Sequence, residues 1–208
     1  MEISLQQLAK RYNKEWIFKD LTYTFNTGKS YALVGANGSG KSTLLQILSG
    51  YRLASSGKII YQSDRIEVPA DEVFSFISIA TPYMELIEEF TLYEHLNFHF
   101  KFRKRRENYS IEDIMKSCYL QQSRDKIVKN FSSGMKQRLK LALAFYTESD
   151  LVLLDEPTSN LDEQGIAWYQ DKLTELLNTS ATVIIASNQK YEYQDFCTAQ
   201  VNIHDYKK

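Results

Sequence analysis

Nine residues, GANGSGKST at positions 35–43, constrain this chain more than any other stretch, because their spacing suits a backbone that wraps a phosphate. Gly35, Ala36, Asn37, Gly38, Ser39, Gly40, Lys41 and Ser42 fit the pattern G-x-x-x-x-G-K-[ST], and Thr43 follows. The apolar run YALV before the loop reads as a strand, and Leu44, Leu45, Ile47 and Leu48 after it read as a helix stopped by Gly50. The glycines let successive N–H groups turn toward one anion at the positive end of that helix. Lys41 can then reach the β- and γ-phosphates of a nucleotide, and the Ser42 hydroxyl can ligate Mg²⁺.

A second run, LVLLDEP at 151–157, reads as a buried strand ending in two carboxylates. Neighbouring residues at a strand end point to different sides, so Asp155 and Glu156 can have separate tasks. Asp155 suits a hard cation held through water, and Glu156 suits polarisation of the water that attacks a γ-phosphate. A third run, FSSGMKQRLKLALAF at 131–145, places Ser132, Ser133 and Gly134 ahead of a helix with Leu139, Ala142 and Leu143 on one side. Small hydroxyl residues opening a helix form a second anion site as readily as an ordinary cap.

In this order the three runs resemble the ATP-binding cassette (ABC) family over nearly the whole chain. The resemblance makes residues 35–43 the Walker A loop and 151–156 the Walker B strand. It makes FSSGMKQR the signature and 159–162 the D-loop, and it assigns adenine stacking to Tyr12, with Trp16 the fallback. It also implies that Ser132, Ser133 and Gly134 touch the γ-phosphate held by a partner cassette rather than their own. EEFTLYEHL at 88–96 resembles the lead into the family's helical subdomain.

Three departures from the family pattern bear on mechanism. The loop usually bearing a glutamine reads ATPYMEL, with Thr81 and Glu85 the substitutes at hand. Met135 replaces the signature glutamine. Asn188 stands after TVIIAS where a histidine would contact the γ-phosphate, and it can still donate a hydrogen bond. With Lys41 and Glu156 retained, an active ATPase is expected rather than an inactive nucleotide-binding subunit.

The 208 residues, 43% of them hydrophobic, suffice for one core or a core with a subdomain. A net charge of −1 gives no global field for nucleic acid, and none is expected as a partner. Cys118 and Cys197 match no metal or redox spacing and read as packing residues in a reducing compartment. The N-terminal run shows no signal segment and no stretch approaches the ~20 apolar residues of a membrane span, so work at a membrane requires docking on another chain.

The expected fold class is α/β, a P-loop NTPase core with a mostly parallel sheet, an N-terminal antiparallel β part and a helical subdomain at about 86–130, within one domain spanning 1–208. Residues 73–79 read as a strand, and Met115, Cys118 and Tyr119 as lying within one helix. The basic run KFRKRR at 101–106 reads first as a solvated helix end, then as a contact for anionic lipid headgroups, and last as a nucleic-acid site. The acidic Glu85, Glu88, Glu89 and Glu94 read as balancing it. The expected function is the ATP-hydrolysing subunit of an ABC transporter, a dimer with Mg²⁺ and ATP, peripheral on the inner face of the cell membrane and driving a separate multi-spanning permease. A soluble ABC-type ATPase outside transport, or a weakly active nucleotide-binding regulator, is the alternative. A GTPase or small-molecule kinase finds no support, because the chain has no N-K-x-D guanine motif and the DE pair and the SSG helix would go unexplained.

Overall fold

Short unbroken apolar runs separated by helices decide the architecture. The computed structural model describes residues 1–207. In chain order it contains β1 (Glu2–Tyr12), β2 (Glu15–Phe25), β3 (Ser30–Val34), α1 (Lys41–Leu48), β4 (Ser56–Ser63), β5 (Ile66–Val68) and β6 (Ile77–Ala80). There follow α2 (Leu92–Phe102), α3 (Ile111–Ser117), α4 (Ser133–Tyr146), β7 (Leu151–Asp155), α5 (Glu163–Leu177), β8 (Thr182–Ala186) and β9 (Ala199–Asn202). One sheet, ordered β2-β1-β4-β5, is antiparallel, and the other, ordered β6-β7-β8-β3-β9, is parallel.

The parallel sheet is buried on both faces, as unbroken apolar strands require. Leu151 and Leu153 of β7, Ile184 and Ala186 of β8, and Tyr31 and Leu33 of β3 pack with α1 and the antiparallel sheet. Their neighbours Val152, Leu154, Val183, Ile185 and Ala32 pack on the other side with α4, α5 and the helices between β6 and β7. Each fully buried leucine or isoleucine contributes roughly 1.5–3 kcal/mol, so these two layers hold the strand ends in register. At one point the antiparallel sheet closes so tightly that only glycine fits. A Cβ on Gly57, at φ +88°, would run into the backbone of Gln7 and Leu8 on β1.

The helical stretch before α4 starts its helices with side chains. Thr91 and Glu94 form a capping box on α2, and Ser110 and Asp113 form one on α3. Four expectations need correction here. Residues 73–79 are not one strand: Val73–Phe76 is a 3₁₀ turn, and β6 begins at Ile77. The preceding Glu72 N–H already turns back to Pro69 O at 3.0 Å. Tyr119 is not helical either; α3 ends at Ser117, and Tyr119 adopts φ 58° while Leu120 N–H returns to Met115 O at 2.9 Å. That is a Schellman stop with tyrosine where glycine is usual.

The basic run is a solvated helix end only in part: Lys101 and Phe102 close α2 exposed, whereas the arginines after them turn back onto the protein. Arg103 donates to Phe74 O at 2.9 Å and Ile77 O at 2.7 Å, and Arg106 donates to Phe145 O at 2.7 Å. Lys104 pairs with Glu148 at 2.9 Å. The guanidinium groups satisfy backbone carbonyls that would otherwise lose water on burial. The acidic group does not balance this run, because Glu94 serves its own cap and Glu88 pairs with Lys136.

His99 adds to this attachment. Thr147 donates its hydroxyl hydrogen to Leu143 O at 2.6 Å, so at 2.9 Å it accepts from His99 Nε2–H. Burial, with Arg103 and His95 nearby, pushes the His99 pKa down to about 4 from 6.5. A depressed histidine pKa means the folded chain binds fewer protons than the unfolded one between those values, so stability is lost as pH falls through that window. Urea titrations at pH 7 and pH 5 should show His99→Gln, which keeps a donor but does not titrate, losing about 1–2 kcal/mol less than wild type on acidification. An equal loss in both proteins would rule out His99 as the source.

Candidate functional site

The C-terminal ends of β3, β7 and β8 converge on one edge of the parallel sheet, and β8 lies between the other two. Residues 35–40 leave β3 there and lead directly into α1. Gly40 holds the N-cap position at φ 108°, and no side chain caps the helix. A Cβ on Gly40 would overlap Ile17 Cγ2 of β2, so the loop presses on the antiparallel sheet where only glycine passes. The first N–H groups of α1 are therefore free for an anion, unlike those of α2 and α3.

Within the loop, Ala36, Asn37 and Gly38 form the exposed rim, whereas Ser39 and Lys41 are buried. Lys41 folds back on the loop, donating to Gly35 O at 2.8 Å and Ala36 O at 3.3 Å. Burial lowers its pKa, while Glu156 and Asp155 oppose that shift, so the ammonium sits within the field of both carboxylates. Ser42 and Thr43 follow in the first turn of α1.

Asp155 ends β7 at 2% exposure, and its pKa is pushed up to about 6, chiefly by burial, with the Ser42 hydroxyl and Lys41 acting against the shift. Its Oδ1 and the Ser39 Oγ are buried without a hydrogen-bond partner. A desolvated carboxylate lacking a partner beside a hydroxyl suits a hard cation, and an unpaired hydroxyl inside an uncapped loop suits a phosphate oxygen. The donor set therefore fits Mg²⁺ held by Ser42 and Asp155. Glu156, one residue on, turns out to solvent at φ 44°, its N–H bound to Ala186 O at 2.9 Å. Asn188, just past β8, donates from Nδ2 to Asn37 Oδ1, which joins it to the loop rim.

Ser132 caps α4, accepting from Met135 N–H at 3.2 Å, so the helix begins at Ser133 and takes Gly134 into its first turn. These three residues line a separate cavity of about 410 Å³ with Met135, Arg138 and Asn160, a cavity to which residues 35–43 do not contribute. A Cβ on Gly134 would stand 2.9 Å from Asn160 O, so this turn packs directly on the D-loop segment. Tyr12 is 38% exposed at the end of β1, its ring beside Lys10 and Arg52. Arg52 in turn binds Gln46 of α1 at 2.8 Å. Trp16 lies against Arg11 and Lys19.

The two substitutes for the absent glutamine separate. Thr81 directly follows Ala80, which pairs with Leu154, the residue before Asp155, whereas Glu85 opens onto a cleft with Lys136 and Lys140. Two residues of the site were not singled out from the sequence. Gln137 and Glu192 both bind the turn after Glu156 (Pro157 O at 2.7 Å and Thr158 N at 2.9 Å respectively). A carboxylate between two tyrosines was the single available hint for Glu192.

The family model described as ABC transporter matches residues 18–159. An uncharacterized ABC transporter ATP-binding protein of Bacillus subtilis (strain 168) is 32% identical over 94% of this chain and 89% of its own length. A putative ABC transporter ATP-binding protein from Pyrococcus furiosus superposes with a TM-score of 0.82 at 25% identity, with both chains fully covered. An ATP-binding cassette solved as a dimer in a post-hydrolysis state with ADP and Pi shares the fold, with a TM-score of 0.82 at 21% identity over 96% of this chain and 93% of that one.

The position of Lys41 leads to a direct expectation. Lys41→Ala should weaken nucleotide binding by about 10- to 100-fold, the cost of losing one charge-assisted contact. Fluorescent nucleotide titration checks the affinity, and an unchanged circular dichroism spectrum would show the fold intact. Equal affinity in both proteins would sink the assignment of this loop.

Proposed function

The chain belongs to the ABC transporter family, and on that premise we propose that it is the ATP-hydrolysing subunit of a transporter, pairing with a second cassette and driving a separately encoded membrane permease. As a member it is an ABC ATPase that binds nucleotide. The observation that carries the site reading is the uncapped start of α1 with Lys41 turned inward onto its own loop. In this reading Lys41 leaves the Gly35 and Ala36 carbonyls for the β- and γ-phosphates. The backbone N–H groups of residues 38–43 surround the phosphates, with Ser39 supplying its orphaned hydroxyl.

Mg²⁺, held by Ser42 and Asp155, supplies charge neutralisation on the phosphate oxygens. Glu156 polarises the attacking water, and its turn out of the strand into solvent supports that task. Asn188 gives up Asn37 to donate to the γ-phosphate, and Thr81, which directly follows the strand paired with β7, is the nearer surrogate for the missing glutamine. Tyr12 stacks on adenine. The separate cavity at Ser132, Ser133 and Gly134 supports a role toward the partner's nucleotide rather than the chain's own.

The domain reading is a single ATPase unit over 1–208 with its helical subdomain at about 86–130. No helix among the described residues is long and apolar enough to cross a membrane. Contact with a permease then falls to the groove of about 350 Å³ between β6 and α2, lined by Met84, Leu86, His95, Phe98 and Phe102. Phe102 is 74% exposed there, an apolar surface of the kind that seats a protein partner. This docking is what puts the subunit on the inner membrane face.

Two experiments test the assignment. Glu156→Gln keeps shape but removes the base, so steady-state hydrolysis should fall at least about 100-fold while ATP remains bound. A dimer should then accumulate on size exclusion with Mg-ATP, and hydrolysis at the wild-type rate would remove Glu156 from the mechanism. For Asn188, replacement by Ala should slow turnover about three- to tenfold, the worth of one hydrogen bond, with ATP affinity nearly unchanged. Asn188→His should hold or raise the rate, and an Asn188→Ala enzyme as fast as wild type would exclude this residue as the histidine surrogate.

A further inference from the structure

The turn carrying Glu156 is held from outside by side chains that never reach the phosphate loop. Glu156 at φ 44° occupies a left-handed conformation that is unfavourable for a non-glycine residue, so the surroundings must impose it. Three restraints do so. Ala186 O of β8 takes the Glu156 N–H at 2.9 Å. Gln137 of α4 donates to Pro157 O at 2.7 Å. Glu192, in the 3₁₀ turn Lys190–Glu192 that follows β8, accepts from Thr158 twice through Oε1, once from the N–H at 2.9 Å and once from the hydroxyl.

The direction of these bonds can be worked out. Thr158 has one hydroxyl hydrogen, and it goes to Glu192. Tyr191 O–H, 3.1 Å from the same oxygen, must therefore donate to it. The chain runs from Tyr191 through Thr158 to the Glu192 carboxylate, and Tyr169 of α5 anchors the backbone by donating to Glu192 O at 2.9 Å. Glu192 is 1% exposed, and its Oε2 is buried with no partner at all. Packing alone does not account for such a group, because burying a carboxylate with half its acceptors unused is costly. What a carboxylate does provide is charge-assisted bonds roughly twice as strong as neutral ones, aimed here at the residue two past Glu156.

We propose that Glu192 is a positioning residue for hydrolysis: by clamping Thr158 it fixes the 156–158 turn and thereby the direction in which Glu156 presents its carboxylate to the attacking water. This rests on the reading of Glu156 as the base. Gln137 ties the same turn to α4, the helix opened by Ser132, Ser133 and Gly134. The clamp thus links the end of β8, the end of β7 and the signature helix through one short segment.

The test compares wild type with Glu192→Ala, Glu192→Gln and Thr158→Val, using steady-state ATPase, nucleotide affinity by fluorescence and thermal melting, with Glu156→Gln as the control. Glu192→Ala should lower kcat about 100-fold, the scale on which a misplaced catalytic group costs rate, with ATP affinity within about twofold of wild type. Glu192→Gln retains an acceptor for both Thr158 bonds and should recover kcat to within about fivefold of wild type. Thr158→Val removes only the hydroxyl and should cost kcat about three- to tenfold; it decides the matter should Glu192→Ala fail to fold. In the Glu156→Gln background, Glu192→Ala should cause no further loss of rate, since it acts through that residue. The proposal is overturned if Thr158→Val and the Glu192 variants turn over normally while Glu156→Gln is inactive. It is equally overturned if kcat, affinity and melting temperature all fall together, the mark of a purely structural role. A Glu156→Gln enzyme of normal rate would instead remove the base on which the proposal stands, whatever the Glu192 variants do.

Discussion

Burial of the parallel sheet on both faces is the constraint from which the rest follows. Because β3, β7 and β8 send alternate side chains into two separate cores, none of them can slip in register without exposing one face. Their C-terminal ends are consequently fixed relative to one another, and open α/β sheets bind ligands at those ends. The order β7-β8-β3 inserts Asn188 between the carboxylates and the loop. A residue with no sequence proximity to either lands between them for topological reasons alone.

The site itself is electrostatically unfinished, which makes it receptive. Lys41 and Asp155 are both pulled from water, and burial shifts each pKa toward its neutral form. Lys41 compensates by binding carbonyls of its own loop, whereas Asp155 keeps an unpaired oxygen. A nucleotide carrying a divalent cation would relieve both at once, offering anionic oxygens to the ammonium and positive charge to the carboxylate. Binding to the folded chain alone must then raise its stability by mass action, and the burial that makes the site costly without ligand is what makes that gain large.

How much of this was legible in the sequence divides along physical lines. The loop, the DE strand and the SSG helix depend on local backbone chemistry, such as glycines with positive φ, an apolar run ended by carboxylates, and a hydroxyl cap. Such chemistry is written in consecutive residues. The unbroken apolar runs of β7 and β8 likewise mark strands buried on both faces. What escaped depends on contacts between distant segments. The arginines of the basic run bind carbonyls of Phe74, Ile77 and Phe145, partners that charge patterning along the chain does not reveal. Tyr119 ends α3 in a glycine's conformation, and nothing about tyrosine announces that. Residues 73–79 have the apolar content of a strand, but the turn at Pro69–Glu72 starts them as a 3₁₀ coil.

Asn188 shows what a departure from the family pattern changes. An amide donates one hydrogen bond in a fixed state, whereas imidazole gains a charge near neutral pH. Neither His95 nor His99 offers that charge instead. His99 is held neutral well below pH 6 beside Thr147, and burial lowers the pKa of His95, whose Nε2 accepts from Ile87 N–H at 3.1 Å. Both sit in the groove between β6 and α2, away from the loop. Beside Lys41, Asp155 and Glu156, Asn188 therefore offers this edge of the sheet a hydrogen-bond donor without charge. In such a site the orientation of Glu156 matters more than it would beside an imidazolium, because the amide of Asn188 brings no charge of its own to steady the developing one. That is a physical reason for the turn after β7 to be held by Ala186, Gln137 and Glu192 together.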